Sequence, residues 1–316
     1  MIKKYLKKKF PKSCDRYLRI QEEKLYKHAE HLKKLDKSKY PEELAKIYKK
    51  NTGEDLDWNN LRTFNEKMQW AKLYENDPRK TLLADKYLVR DFVKERIGEE
   101  YLIPLLGVWN SFDEIDFEKL PDQFVLKTNH GCGTNIIVKD KSKFNKKEAK
   151  EKFDRWLRVE FGFLNGFELH YCGIKPKIIA EQYMQNIATQ DLEDYKFQCF
   201  DGKVYYCWIN KGRFTNHCVC TYDKDWVLQD WKFAHARVSD EPIPPPLNAD
   251  LMVSLAEKLS EGFSQVRVDL YEANGKVYFG EMTVTGGSGF QIIYPKKFDL
   301  MLGDLWKLPI NQLNND

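Results

Sequence analysis

Apolar residues in the first hundred positions recur at the spacing of helices. Between residues 14 and 50 they lie three to four positions apart among lysines and glutamates. Thr63 precedes an amphipathic stretch and has Glu66 three positions later, which is the pattern of a helix capping box. Another helix is predicted over residues 82–96. The pattern therefore predicts that roughly the first 115 residues are almost all helix and loop.

Short apolar strands dominate after residue 120. Asp201-Gly202 and Asn274-Gly275 each separate two such runs, and these dipeptides favour the tight turns of β-hairpins. The order of elements predicts an α+β protein with antiparallel sheets, preceded by a mostly helical region. Strands are predicted at residues 124–127, 136–139, 177–183, 195–200, 203–210, 218–222, 265–271 and 276–282, and helices at 146–164 and 249–263.

These changes of pattern divide the 316 residues into four predicted segments. The first two are a basic helical arm, residues 1–55, and a helical region, residues 56–120. Two α+β subdomains follow, at residues 121–184 and 185–316.

Charge is distributed unevenly along the chain. Residues 1–50 contain 17 Lys and Arg against 7 Asp and Glu, a net charge of +10, which leaves −6 on the remainder. A basic arm of this kind fits a tether to an anionic membrane surface or to an anionic substrate, and a solvated lysine-rich helix is the alternative. Nucleic-acid binding is disfavoured because no nucleic-acid-binding motif accompanies the charge.

The composition excludes several classes of protein. Hydrophobic residues make up 42% of the chain, which is too many for a disordered protein. No apolar run approaches the roughly 20 residues of a membrane helix, and the charged N-terminus lacks the apolar stretch of a secretory signal. The 7 cysteines are scattered and form no CxxC pair, as is typical of reduced thiols. We therefore expect a cytoplasmic protein, with the inner face of the membrane as the place where the arm would act.

A candidate phosphate-binding loop follows the first predicted strand of the α+β part. Lys127 ends the strand, and the loop after it contains Gly131, Cys132 and Gly133. Glycines let backbone amides approach phosphate oxygens, and the lysine adds a positive charge. The loop is not a P-loop, because no Gly-Lys-Ser/Thr follows and no helix comes next. A tight turn beside a surface lysine is the alternative interpretation.

Two carboxylates form a second constellation. Asp269 and Glu281 lie on two strands joined by a hairpin, where they can face the same way. On an apolar sheet they would repel each other unless a hard cation bridged them, and Mg²⁺ held together with nucleotide phosphates would do so. Arg267, two residues before Asp269, projects to the same face and could grip a phosphate. A salt-bridged sheet surface is the alternative.

Two further segments suit a nucleotide. The apolar strand that leads to Glu181 and Met184 could present its backbone groups to an adenine edge. Lys196 is a lone lysine in an otherwise apolar strand and needs an anionic partner, which a nucleotide phosphate would provide.

In this order, the pieces resemble the ATP-grasp superfamily. Four motifs sharpen the resemblance to the TupA-like ATP-grasp family, whose members are associated with teichuronopeptide, capsule and other surface polysaccharide synthesis. The similarity covers roughly residues 55–305 and leaves out the basic first 50 residues. Thr283 departs from the superfamily pattern, which usually has asparagine there. The motifs occupy residues 63–70, 83–90, 126–133 and 194–197.

The resemblance implies ATP and Mg²⁺ as cofactors, and it implies roles for individual residues. Lys127 and Lys196 would hold ATP phosphates, and Arg267 would steady the transferred phosphoryl group. Asp269, Glu281 and Thr283 would bind Mg²⁺. The residues expected around ATP are Lys127, Gly131, Cys132, Gly133, Glu181, Gln182, Tyr183, Met184 and Lys196. Those expected at the acceptor are Asp85, Lys86, Arg90, His130, Gly286, Gly287 and Ser288, with a structural role as the alternative for His130.

The implied function is an ATP-dependent carboxylate–amine ligase that forms an amide through an acyl phosphate. Its expected partners are a glycan or sugar precursor that carries a uronic acid and an amine such as an amino acid. The alternatives are a kinase that phosphorylates a glycan, a glycosyltransferase of capsule synthesis, and a scaffold protein without activity.

Overall fold

The structure, a computed structural model, describes residues 11–187, 192–212, 217–234, 236–239 and 241–308. The first hundred residues form helices joined by short loops, as the hydrophobic pattern predicts. The predicted capping box is confirmed, since Thr63 accepts a hydrogen bond from the Glu66 amide and Glu66 accepts one from the Thr63 amide. These helices are α1 (Pro11–Lys33), α2 (Tyr40–Thr52), α3 (Phe64–Tyr74), α4 (Arg79–Ala84) and α5 (Val89–Arg96).

The single helix predicted over residues 82–96 is interrupted between α4 and α5. The carboxylate of Asp85 accepts hydrogen bonds from the backbone amides of Tyr87 and Leu88, at 2.8 and 3.2 Å. Such a local bond between side chain and backbone competes with the helical hydrogen-bond pattern. The interruption therefore falls inside one of the motifs on which the family resemblance rests.

A four-stranded antiparallel sheet forms the first α+β layer. Its strands are β1 (Leu105–Trp109), β2 (Phe124–Thr128), β3 (Asn135–Val138) and β4 (Ile178–Gln182), in the order β1-β4-β2-β3. Helix α6 (Lys146–Trp156) covers it through a core that includes Phe117, Phe124 and Phe153. The prediction of helix and loop up to residue 115 is wrong at β1, so this sheet begins before the segment boundary predicted at residue 120.

A five-stranded antiparallel sheet forms the second layer. Its strands are β5 (Asp194–Phe200), β6 (Lys203–Lys211), β7 (Cys218–Asp223), β9 (Gln265–Ala273) and β10 (Lys276–Thr283), in the order β10-β9-β5-β6-β7. Both predicted hairpin turns are confirmed, with φ values of 47° and 73° at Asp201 and Gly202 and of 54° and 75° at Asn274 and Gly275. A short pair, β8 (Lys232–Phe233) and β11 (Ile293–Tyr294), lies apart from it.

Helices cover both faces of this second sheet. On one face α7 (Ala249–Ser260) buries Leu255 and Leu259 against the sheet. On the other face α3 and α8 (Lys297–Leu305) pack around Phe64 and Trp306. The arrangement brings helix α3 from the N-terminal region to the sheet that carries the paired carboxylates.

The predicted fold class, α+β with antiparallel sheets and a helical N-terminal region, is confirmed. None of the helices in the described part of the chain has the length and apolar character needed to cross a membrane.

Candidate active site

The two predicted carboxylates lie side by side on the β9–β10 hairpin, and an arginine joins them. Asp269 is the register partner of Glu281, and Arg267 is the partner of Thr283. Arg267 donates two hydrogen bonds to Asp269, from Nε at 2.6 Å and from Nη2 at 2.7 Å. Its Nη2 also lies 3.0 Å from Oε1 of Glu281. The expectation that a hard cation must bridge these carboxylates to offset their repulsion is therefore wrong, because the Arg267 guanidinium group contacts both.

Lys196 adds a second positive charge to the same group. It lies on β5 directly opposite Asp269, forms an ion pair with it, and lies 2.8 Å from Oδ2 of Asp194. The prediction that this lysine needs an anionic partner is met by two carboxylates of the protein itself. A phosphate bound here would therefore compete with Asp194 and Asp269 for the ammonium group.

These contacts affect the two carboxyl groups differently. Burial raises the pKa of Asp269, although Arg267 and Lys196 oppose that effect. At Glu281 burial also acts to raise the pKa, but Arg267, Lys196 and Lys86 outweigh it and lower the pKa to about 2. Glu281 is therefore ionised at neutral pH, and its Oε1 atom also accepts a hydrogen bond of 3.1 Å from the Thr283 hydroxyl.

A second ion-pair group lies on the first sheet. Lys127 Nζ lies 2.5 Å from Oε2 of Glu181, and Arg90 Nη1 lies 3.4 Å from Oε1 of the same carboxylate. Arg90 also donates to the Ile103 carbonyl at 2.9 Å. The resemblance suggests an acceptor site for Arg90, whereas the structure places it beside Lys127.

A cleft runs between the two sheets next to this group. Its cavity volume is about 150 Å³. Residues of both sheets line it, with Val125 and Lys127 on one side and Tyr271 and Gly280 on the other. All four residues predicted to surround adenine and ribose are among its walls, namely Glu181, Gln182, Tyr183 and Met184.

The glycine loop between β2 and β3 is held at its start. The Asn129 amide group donates to Oδ1 of Asp85 at 3.0 Å, and Asn129 Oδ1 accepts from the Lys177 amide at 2.6 Å. Lys86 Nζ donates to the Gly131 carbonyl at 2.5 Å. Burial lowers the pKa of Lys86, and the charge of Glu281 only partly opposes that effect. Lys86 therefore holds the glycine loop through the Gly131 carbonyl.

The rest of the loop is shaped by its two glycines. A Cβ atom on Gly131 would overlap the ring of Phe161, and Gly133 has a φ of 72°, which favours glycine. The thiol of Cys132 between them is exposed.

Two residues of the expected acceptor set, Asp85 and His130, make contacts within the protein. Asp85 binds backbone amides and the Asn129 side chain, as described above. His130 is only 3% exposed, and its ring packs edge-on against Phe161 at 5.1 Å. Burial lowers the pKa of His130 and favours the neutral imidazole. These contacts support the structural alternative for His130.

The glycine-rich segment after β10 lies against the arginine. A Cβ atom on Gly286 would come within 3.3 Å of Nη1 of Arg267. Gly287 and Ser288 have φ values of 55° and 59°, and the Ser288 side chain is buried. Gly286 is thus next to the carboxylate group, and the other two expected acceptor residues of this segment, Gly287 and Ser288, follow it in the chain.

Sequence reasoning missed the polar residues that hold this segment, namely Gln69, Lys72 and Glu168. Gln69 and Lys72 lie on the buried face of α3, and Glu168 accepts a hydrogen bond of 2.5 Å from the Thr285 hydroxyl. The sequence signal for Gln69 and Lys72 was their spacing of three positions, which places two polar side chains on one face of helix α3.

The donors near the hairpin fit Mg²⁺ only together with a ligand. Within the described residues, no three His, Cys, Asp or Glu side chains converge to hold a metal ion. The hairpin offers two carboxylates and the Thr283 hydroxyl, which are oxygen ligands of the kind that Mg²⁺ prefers. Phosphate oxygens would complete such a site.

Comparison with known proteins agrees with this geometry. The chain belongs to the TupA-like ATP-grasp family, whose model matches residues 66–307, well over half of the sequence. The predicted family is therefore confirmed, and with it the ATP-grasp fold. ATP-grasp proteins use ATP with Mg²⁺, as predicted for this chain. No curated protein matches the sequence.

Several solved structures are similar at low identity. D-alanine–D-alanine ligase from Bacillus anthracis complexed with ATP is 16% identical, with a TM-score of 0.42, and the match covers 71% of this chain and 63% of that one. N5-carboxyaminoimidazole synthetase from Staphylococcus aureus complexed with ADP is 16% identical, with a TM-score of 0.35, and the match covers 64% and 44%. The chain thus spans less than two thirds of the length of either protein. D-alanine–D-alanine ligase from Helicobacter pylori is 15% identical, with a TM-score of 0.39, and the match covers 77% and 69%.

Proposed function

We propose that the protein is an ATP- and Mg²⁺-dependent carboxylate–amine ligase. Its acceptor would be a uronic acid of a surface polysaccharide or of a precursor, and the amine would be an amino acid or a related compound. The TupA-like family supports the ATP-dependent part of this proposal. The glycan part rests on the association of that family with polysaccharide synthesis.

One observation carries the proposal, namely the charged group around Arg267. Arg267 contacts both Asp269 and Glu281, while Lys196 contacts Asp269 from the neighbouring strand. Transfer of a phosphoryl group needs positioned charge more than it needs a covalent catalyst. The cations and carboxylates on β5 and on the β9–β10 hairpin supply that charge, and Tyr271 and Gly280 of the same hairpin line the cleft.

In the first step, a carboxylate oxygen of the acceptor would attack the γ-phosphorus of ATP. The bond to the β–γ bridging oxygen breaks, ADP leaves, and an acyl phosphate forms. Arg267 and Lys196 would then balance the charge on the transferred group. An ATP phosphate at Lys127 would compete with the Glu181 carboxylate, which lies 2.5 Å from the lysine ammonium group.

In the second step, the nitrogen of the amine would attack the acyl carbon. Phosphate leaves with the electrons of the carbon–oxygen bond, the nitrogen loses a proton to solvent, and an amide remains. Gly286 next to Arg267 would border the acceptor. Asp269, Glu281 and Thr283 would hold Mg²⁺, which neutralises phosphate charge when bound.

A trapping experiment tests the reaction class. The protein is incubated with ATP, Mg²⁺, hydroxylamine and an oligosaccharide of uronic acids, because hydroxylamine is small enough to replace the natural amine. The expected products are ADP, free phosphate and a hydroxamate of the oligosaccharide, and Glu281→Gln should form none of them. ADP with a phosphorylated glycan would instead show a kinase. Transfer from a sugar nucleotide without use of ATP would show a glycosyltransferase.

We also propose that the basic arm contacts an anionic surface. In the described part of α1, Tyr17 and Ile20 are 58% and 40% exposed, and Lys24 and Lys27 are exposed near them. Aromatic and aliphatic side chains next to lysines are typical of helices that lie on anionic membranes. This contact would keep the protein at the inner face of a membrane, near a membrane-linked glycan precursor.

A further inference from the structure

Helix α3 carries polar side chains on its buried face. Asn65, Gln69 and Lys72 are four and three positions apart, so they line one side of the helix. Their exposed fractions are 4%, 0% and 5%. Such a face is normally apolar, because burying a polar group without a partner is unfavourable.

All three side chains donate to backbone carbonyls of the segment after β10. Gln69 Nε2 donates to the Ser288 and Gly289 carbonyls, at 3.2 and 3.0 Å. Lys72 Nζ donates to the Ser288 carbonyl at 3.0 Å and to Oε1 of Gln69 at 2.9 Å. Asn65 Nδ2 donates to the Gln291 carbonyl at 3.0 Å. Three side chains of one helix therefore bind one stretch of backbone.

The bound stretch has a conformation that needs outside support. Gly287, Ser288 and Gly289 have φ values of 55°, 59° and 68°, so three residues in a row are left-handed. Residues with a side chain rarely adopt this conformation, and Ser288 is one of them. Hydrogen bonds to its carbonyl fix a backbone that would otherwise relax.

The segment is also held from its other side. Thr285 donates to Oε1 of Glu168 at 2.5 Å, and the Ser288 hydroxyl donates to the Asn165 carbonyl at 2.8 Å. The charge of Lys72 interacts with that of Glu168 across the segment. Both walls of the segment are therefore polar and buried.

We infer that Lys72 and Gln69 are positioning residues that hold residues 286–289 against Arg267 and so shape the acceptor side of the site. A Cβ atom on Gly286 would lie 3.3 Å from Nη1 of Arg267, so a small shift of the segment changes the space beside the guanidinium group. The assignment of this side of the site to the acceptor rests on the proposed function, whereas the positioning of residues 286–289 does not.

Lys67 provides a matched control on the same helix. Its Nζ donates to the backbone carbonyls of Gly303 and Trp306, at 2.7 and 2.8 Å, at the end of α8. Lys67→Met and Lys72→Met thus each remove one ammonium group from α3, and the two groups hold different segments of backbone. Gln69→Met is a second variant of the proposed pair, and it leaves the ammonium group in place.

Amide hydrogen exchange measures how firmly the backbone of each segment is held. The Ser288 and Phe290 amides donate to the Thr285 and Gly287 carbonyls, and the Trp306 amide donates to the Gly303 carbonyl. Lys72→Met and Gln69→Met should speed exchange at Ser288 and Phe290 at least tenfold and leave Trp306 unchanged. Lys67→Met should speed exchange at Trp306 and leave Ser288 and Phe290 unchanged. Unchanged exchange at Ser288 and Phe290 in both variants of the pair would overturn the inference.

Two further measurements separate positioning from general damage. Calorimetry with a non-hydrolysable ATP analogue and Mg²⁺ should give the same affinity for Lys72→Met as for the wild-type protein. In the hydroxylamine reaction, the same variant should need at least tenfold more uronic-acid oligosaccharide for half-maximal rate. Equal loss of nucleotide and oligosaccharide binding would contradict a role on the acceptor side. If the wild-type protein forms no hydroxamate, the proposed function fails, and hydrogen exchange still decides the positioning.

Discussion

Arg267 and Asp269 are two positions apart on one strand and are joined by two hydrogen bonds of 2.6 and 2.7 Å. Because side chains alternate along a strand, both point to the same face, and the planar guanidinium group can meet the carboxylate with two parallel donors. The Asp269 side chain is only 1% exposed. The pair is therefore a buried ion pair inside the candidate site, and removing either member would leave the other charge with fewer partners.

Asp269→Asn should destabilise the protein without nucleotide. Removing one member of a buried ion pair typically costs about 3–5 kcal/mol when the other charge loses its partner. The loss here should be smaller, because Arg267 keeps Glu281 and Lys196 keeps Asp194 as partners. Glu281→Gln is the comparison, since the Glu281 side chain is 41% exposed and should give a smaller loss. Urea unfolding of both variants checks the order, and equal stability of Asp269→Asn and wild type would contradict it.

Lys127→Ala should weaken ATP binding with little effect on the fold. A charge-assisted phosphate contact is worth on the order of 1.5–3 kcal/mol. Glu181 would keep Arg90 as a partner, which limits the loss of stability. Calorimetry measures the affinity, with the exposed and distant Lys152→Ala as control. An affinity equal to that of the control would remove Lys127 from the nucleotide site.

Stability should increase with pH above neutrality because of Lys72. Burial lowers the pKa of Lys72 from 10.5 to about 7, with Glu168 partly opposing it. Between these two values the unfolded chain binds more protons than the folded one, so raising the pH favours folding. The slope from this group is at most about 1.4 kcal/mol per pH unit.

Lys72→Met should flatten that part of the stability curve. Urea unfolding between pH 7 and pH 9 compares the variant with the wild-type protein and with Lys119→Met, which changes a side chain that is 84% exposed. Parallel curves for all three proteins would show that Lys72 is not the group responsible.

Charge reversal on α1 should abolish binding to anionic vesicles. Lys24→Glu with Lys27→Glu changes two exposed lysines, whereas deletion of the whole arm would also remove Leu32 and Leu44, which are buried. Co-sedimentation with phosphatidylserine vesicles at low and high salt measures the contact, and neutral vesicles are the control. Association that does not depend on salt would argue against an electrostatic contact.

The local sequence pattern predicted those elements that are determined by neighbouring residues in the chain. Asn274-Gly275 marks its hairpin because both residues adopt positive φ at low cost, and strand alternation places Arg267 beside Asp269. Strand β1 escaped prediction because it is short and half-buried, with an irregular register near Gly107. Its place in the sheet depends on β4, which lies some seventy residues later in the chain.

The partners of the lysines could not be predicted from local sequence. Arg90 and Glu181 are 91 positions apart, and Lys72 and Ser288 are 216 positions apart. Each pair exists only because packing brings two elements together, and no spacing rule relates them. The sequence supplied the types of residue, and tertiary structure supplied their pairings.

The exposed thiol in the glycine loop makes the loop directly observable. Among the cysteines whose side chains the structure describes, Cys132 is exposed, Cys172 is partly covered and the others are buried. Among these described cysteines, a maleimide dye should therefore reach Cys132 most readily, and alkaline pH should speed the reaction because burial raises the pKa of this thiol. Fluorescence from that dye would report whether the loop changes when nucleotide is added, so a native side chain serves as the attachment point for an optical probe.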